Sequence, residues 1–195
     1  MNKKIINLAL IIACAFAFSG CWSWQKIISF GYLQSEEEKF EEKARQEQEK
    51  LIAQCETGQS IACNNLAVNF SRLLNFNDAK IYYEKACNNG LVTACSNLGQ
   101  IYEQGLVDEN IDEKKAMQLY DFACKNNDGV GCYNQALLLH KNNPQDSKKV
   151  LELLAKSCKF EYAQACFLLA KLSNNEAKAR KLYERACKFG KCEDK

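Results

Sequence analysis

The chain has 195 residues, 47% hydrophobic and 26% charged, an ordinary globular composition that excludes wholesale disorder. A single proline, Pro144, and nine glycines leave long stretches free for helix, and the lack of alternating β-branched segments argues against a sheet protein. With 26 basic and 24 acidic residues the net charge is +2, so nothing suggests an electrostatic grip on nucleic acid.

Met1-Asn2-Lys3-Lys4 is a short basic start, and Ile5–Phe18 is apolar apart from Asn7. A bilayer span takes roughly twenty residues, so this shorter run reads as the core of a signal peptide covering residues 1–20. Removing it with Lys3 and Lys4 leaves basic and acidic residues equal at 24 each. Phe18-Ser19-Gly20-Cys21 resembles the lipobox of bacterial lipoproteins. That resemblance implies acylation of Cys21 and a membrane held through the lipid. Trp22, in place of an aspartate, favours the outer membrane. The expected location is the bacterial cell envelope, lipid-anchored and facing the periplasm, with a secreted or periplasmic protein as the alternative. Residues 21–35, with Trp22, Trp24, Phe30 and Tyr32, read as a tether, either at the membrane interface or unstructured.

Residues 36–54 form a charged helix. Glu41 with Arg45 and Lys43 with Glu47 stand four apart with opposite sign, a spacing that supports helix. Its place before Cys55 suits a polar cap on a repeat array.

Twelve cysteines in a 22.1 kDa chain are unusual outside metal or disulfide proteins. Without Cys14 and Cys21, ten remain, an even number. Cys55/Cys63, Cys87/Cys95, Cys124/Cys132 and Cys158/Cys166 are separated by eight, and Cys187/Cys192 by five. First cysteines recur after 32, 37, 34 and 29 residues, a period that signals repeats over residues 55–192, with 193–195 a tail. Other residues keep the register. Eight before each first cysteine from Cys87 onward stands Ala79, Ala116, Val150 or Ala179; four before, Tyr83, Tyr120, Leu154 or Tyr183. These spacings mark one face of a helix. Small residues flank the second cysteines: Ala62, Ala94, Gly131 and Ala165 just before, Ala67, Gly99, Ala136 and Ala170 four after. They allow close helix approach.

Turn signals such as Asn88-Asn89-Gly90 and Asn126-Asn127-Asp128-Gly129 lie between paired cysteines. The first cysteine of a pair closes one helix and the second opens the next. Zinc sites favour cysteines two to four apart with histidine, whereas this chain has no C-x-x-C and only His140. Disulfide staples across antiparallel helices are therefore expected, and neither a metal nor a cofactor. The helices are predicted over 60–74, 76–88, 92–104, 112–126, 130–142, 145–159, 162–173 and 175–188.

Ala94-Cys95-Ser96-Asn97-Leu98-Gly99-Gln100-Ile101-Tyr102-Glu103-Gln104-Gly105, followed by Asp112–Ala116 and Leu119–Cys124, resembles a Sel-one-like repeat, a relative of the tetratricopeptide repeat. The paired cysteines are similar to those of the secreted Helicobacter cysteine-rich proteins. This resemblance implies an all-α, right-handed α/α solenoid of about four stapled helix pairs. Two departures stand out. The turn Lys159–Tyr162 lacks glycine, and the unit from Cys63 to Cys87 has Asn69–Arg72 where the family has a glycine.

In such solenoids the first helix of each pair lines the concave face. Asn65, Asn69, Asn97, Gln100, Tyr133, Asn134, Gln135 and Phe167 fall on those helices, and mixed amide and aromatic side chains suit peptide or glycan binding. The leading expectation is a scaffold that binds an envelope protein or peptide. The resemblance also implies an alternative, binding of β-lactams or peptidoglycan fragments or β-lactamase activity. Ser23-Trp24-Gln25-Lys26 matches S-x-x-K, but neither companion motif occurs, and no catalytic residue is assigned. A further alternative is an immunity protein against a secreted toxin.

Overall fold

The computed structural model describes residues 24–191, with side-chain placement from residue 36 onward. The chain divides into two units, Met1–Glu47 and Gln48–Lys195. Nine helices occur among the described residues: α1 Trp24–Glu56, α2 Ser60–Arg72, α3 Phe76–Asn88, α4 Val92–Gln104, α5 Glu113–Lys125, α6 Gly129–Asn142, α7 Ser147–Lys159, α8 Ala163–Lys171 and α9 Glu176–Lys188. No strand occurs among these residues.

The charged helix begins at Trp24, within the expected tether, rather than at Glu36. Residues 24–35 contain no proline and only one glycine, so nothing in them breaks a helix. Residues 36–50 are exposed. Arg45 pairs with Glu42 and Lys39 with Glu36, both three apart, so Arg45 does not use the expected Glu41. The last turn of α1 behaves differently. Leu51 and Ile52 pack against the first core cluster, and Cys55 is buried within it.

From α2 onward the helices pair: α2 with α3, α4 with α5, α6 with α7, α8 with α9. This is the expected α/α array. The second helix of each pair starts from a polar cap in three of four cases, through Asn75, Asp112 and Asn175, each accepting from the backbone N–H three residues on. The registered positions form the core. Ala79, Ala116, Tyr120, Leu154, Ala86, Ala123, Ser157 and Ala186 are buried. Tyr183 and Ala179, at the same positions in the last pair, are only half-buried.

The disulfides Cys55–Cys63, Cys87–Cys95, Cys124–Cys132 and Cys158–Cys166 form, with Cα atoms 4.4 to 4.9 Å apart. Each ties the end of one helix to the start of the next. Closing so short a loop stabilises by about 2–3 kcal/mol in the chain-entropy treatment. Cys187 is also disulfide-bonded, while Cys192, Cys21, Cys14, the leader and the tail lie outside the described residues.

One backbone device repeats at every staple. The third residue after the first cysteine adopts a left-handed conformation: Gly58, Gly90, Asn127, Glu161 and Gly190, with φ between 63° and 97°. The next N–H then donates to the carbonyl just before the cysteine, as in Leu91 to Ala86 (3.0 Å), Asp128 to Ala123 (3.0 Å) and Tyr162 to Ser157 (3.2 Å). This closure satisfies carbonyls that a helix end otherwise leaves open. Glu161 makes the turn without glycine and carries its strain. At the other end of the first pair, Leu74 (φ 58°) fills the left-handed position that Gly105 (φ 61°) takes in the second.

Candidate functional site

The eight side chains expected to face a partner do not act as one group. Asn65 and Asn69 on α2 are exposed, and Asn97 and Gln100 on α4 are half-buried. Gln135 donates from Nε2 to Asp121 Oδ1 on α5 at 3.1 Å. The Tyr133 ring meets Tyr162 at 5.1 Å between centroids. Phe167 meets Tyr183 edge-on at 5.6 Å, with the Lys171 ammonium 4.5 Å above it. Asn134 keeps its Nδ2 buried with no hydrogen-bond partner. Tyr133, Gln135 and Phe167 thus hold helices together.

The junction between the second and third pairs is closed by contact. A Cβ added at Gly131 lies 2.5 Å from Ala123 Cβ and 2.9 Å from Ser96 Oγ; within the second pair, one added at Gly99 lies 2.5 Å from the Tyr120 ring. Only glycine fits at either place. Asp128, buried, accepts from Gly131 N at 2.6 Å, capping α6, and from Ser96 Oγ of α4 at 2.8 Å. Tyr120 donates to Glu103 Oε2 at 2.7 Å, and burial, then that carboxylate, pushes its hydroxyl pKa well up. Hydrogen bonds from Lys125, then Gln135, hold the Asp121 carboxyl below its usual range. Tyr102 donates to Glu84 at 2.9 Å and accepts from Lys115 Nζ at 2.6 Å.

The last pair is built to the same plan but one turn short. The first helices α2 and α4 end at Arg72 and Gln104, each nine residues after its cysteine. The expected first helix 162–173 proves to be α8, Ala163–Lys171, which stops five residues after Cys166. Asn175 caps α9, so the chain must turn early. The space left is a groove of about 600 Å³ between α7, α8 and α9. Leu151, Ala155 and Cys158 of α7, Leu169 of α8, Leu172 just after it and Leu182 of α9 give it an apolar floor. Ser173, Asn174, Asn175, Lys178 and Arg185 complete its lining, which contains no carboxylate.

None of the eight expected residues lines this groove. The sequence carries two signals for it: the shortest interval between first cysteines, 29 residues from Cys158 to Cys187, and the small Ala155 where other units have an acid. Of the S-x-x-K match, Ser23 lies outside the described residues. Among the described residues no group of three histidine, cysteine, aspartate or glutamate side chains could hold a metal.

Stapled helix pairs repeated in register define a short α/α repeat protein. The Sel1 repeat family model matches residues 60–91, 92–128 and 156–188, just over half of the chain, and the chain belongs to that family. The matches cover the pairs α2/α3, α4/α5 and α8/α9. Among curated proteins, the chain is similar to cytochrome c oxidase assembly factor 7A of Xenopus laevis, 28% identical over 116 residues, 52% of this chain and 50% of the relative. It therefore spans about half the length of that relative. Among solved structures it is similar to c5321, a protective antigen of uropathogenic Escherichia coli with an SLR fold (TM-score 0.60, 19% identity, 74% of this chain, 34% of that one). It is also similar to a Sel1 repeat protein from Oxalobacter formigenes (TM-score 0.58, 15% identity, 69% and 60%). At these identities the structural neighbours establish the fold.

Proposed function

We propose that this chain is a repeat scaffold of the bacterial cell envelope that takes a peptide segment of a partner protein into the α7–α9 groove. The groove carries the reading: an unfilled apolar hollow with a cationic, carboxylate-free lining in an array whose preceding junction is packed to the limit of glycine. Pockets of this kind suit a few large side chains of a partner. The Xenopus relative is named as an assembly factor, which supports a scaffolding role. Four disulfides support an oxidising compartment. The basic-apolar leader and Phe18–Cys21 support lipid attachment at Cys21 and an outer-membrane location.

Affinity capture from envelope extracts, with the full chain expressed under its own leader, tests this. Ala155→Trp is the comparator, because Ala155 is exposed and lines the groove, so a larger ring fills the hollow without entering the core. The expected result is a partner enriched by the native chain, lost with Ala155→Trp, and bound again when purified. Equal capture by both chains rules the groove out as the partner site. Enrichment of nothing over an empty resin overturns the scaffold reading.

A further inference from the structure

The lining of the groove specifies its occupant, given the scaffold reading above. The position three before the first cysteine of a staple is Glu84, Asp121 and Ala155 in successive units. Glu84 and Asp121 are both satisfied carboxylates: the first accepts from Tyr102, the second from Gln135 and Lys125. The residue three after the second cysteine reads Leu98, Gln135 and Leu169 opposite those three, so only Asp121 has an amide partner there and only Ala155 leaves both positions apolar. The polar bridge that spans α5 and α6 is thus replaced by two apolar side chains, and both line the hollow. The cations are still present. Lys178 and Arg185 stand at its edge, while the nearby Glu184 pairs with Arg180. Arg185 donates one N–H to the Lys159 carbonyl at 3.4 Å and lays its guanidinium over the Phe189 ring at 5.6 Å, which leaves further N–H donors of the five for a ligand.

We propose that the occupant is an amphipathic helix of a partner protein, whose leucine-sized side chains fill the floor and whose carboxylate stands in for the acid that Ala155 replaces. The helical form follows from the space. α8 lacks the four residues that carry α4 on to Gln104, about 6 Å of helix. Leu151 and Leu172 are 43% and 53% exposed, apolar surface that a partner helix covers. Charge complementarity with Lys178 and Arg185 selects acid over base on that helix.

The probe is a fluorescein-labelled synthetic helix with leucines at i, i+3, i+4 and i+7 flanked by glutamates. Its affinity for the oxidised full chain is read by fluorescence anisotropy, beside versions in which the glutamates become glutamine or lysine. The glutamate peptide is expected to bind at least about tenfold tighter than the glutamine one, the scale of one charge-assisted hydrogen bond. Lys178→Glu with Arg185→Glu is expected to lose it and to gain the lysine peptide. Ala155→Glu, restoring the acid within the chain, is expected to weaken binding of the glutamate peptide while circular dichroism stays unchanged. Equal binding of the glutamate and glutamine peptides, still blocked by Ala155→Trp, overturns the acidic occupant and leaves the groove reading standing. Binding indifferent to Ala155→Trp overturns both. Self-association of the full chain that Ala155→Trp abolishes makes a second copy the occupant and overturns the proposal, as does failure of every peptide to bind.

Discussion

The α5/α6 junction and the α7–α9 groove are the same architectural position filled in two ways. In the first, Gly131 admits Ala123 at a distance no other residue permits, Gln135 bridges to Asp121, and Asp128 bolts α6 to Ser96 of α4. In the second, a first helix one turn short and the apolar pair Ala155 and Leu169 leave about 600 Å³ open. The two regions share the staple, the left-handed turn and the helix pairing. On the proposed reading, binding capacity comes from a local failure to fill a standard space, on a frame whose staples do not depend on that filling.

The largest effect tests the shared part. Replacing Cys124 and Cys132 by alanine, or Cys158 and Cys166, is expected to cost about 2–5 kcal/mol in either case, read by urea unfolding. A much smaller loss at Cys158–Cys166 would show that the open region is already loose, and the comparison would fail.

The next test exploits the difference. Gly131→Ala forces its Cβ to within 2.5 Å of Ala123 Cβ, and Gly99→Ala forces a similar clash with the Tyr120 ring. Overpacking of this kind costs about 1–3 kcal/mol. Ala155→Trp adds far more volume at an exposed position and is expected to change stability by less than about 0.5 kcal/mol. Similar losses at all three sites would mean that the groove is not open in solution.

The array was legible in the sequence because its signals are local and repeated. Cysteine spacing, small residues at fixed offsets and asparagine–glycine turns act through backbone geometry, and the eight helices of the array fall within two residues of their predicted ends. The early start of α1 was not legible, because Trp22, Trp24 and Phe30 suggested an interface while nothing in residues 24–35 opposes helix. The groove was not legible for another reason. Amide and aromatic side chains were read as ligand-seeking, yet Gln135, Tyr133 and Phe167 find partners within the fold. The groove is a missing volume. It shows in a sequence only as a short interval and a small residue, and Ala155 carries no chemistry of its own.

A smaller effect separates the two turns whose left-handed residue is not glycine. Glu161 and Asn127 both hold a left-handed backbone, but asparagine tolerates it and glutamate does not. Glu161→Gly is expected to raise stability by up to about 1 kcal/mol, and Asn127→Gly by a few tenths at most. A calorimetric melt of the two variants distinguishes them. Equal gains would mean that the turn beside the groove is no more strained than the one in the closed junction.

The smallest effect concerns charge. Lys125 and Gln135 hold the Asp121 carboxyl below its ordinary value near 3.8, so the bridge favours the ionised form. A carboxyl depressed on folding contributes stability that is fully present above its unfolded value and is lost as pH falls through its folded one. The Asp121 contribution is therefore expected to disappear below about pH 4, and Asp121→Asn to flatten that part of the stability profile. The Asp121 side chain is 41% exposed and Lys125 71%, so solvent screens the pair and the change is small. NMR of the Asp121 side-chain carbonyl gives the direct reading, with Lys125→Ala expected to return the titration toward its ordinary midpoint. Ala155 offers no such group at the corresponding position. Ala155→Asp tests whether the groove can accept one: with Lys178 and Arg185 at hand, its carboxyl is expected to titrate below the ordinary range too. A titration at or above the ordinary value would place those cations too far away to serve any carboxylate, from this chain or from a partner.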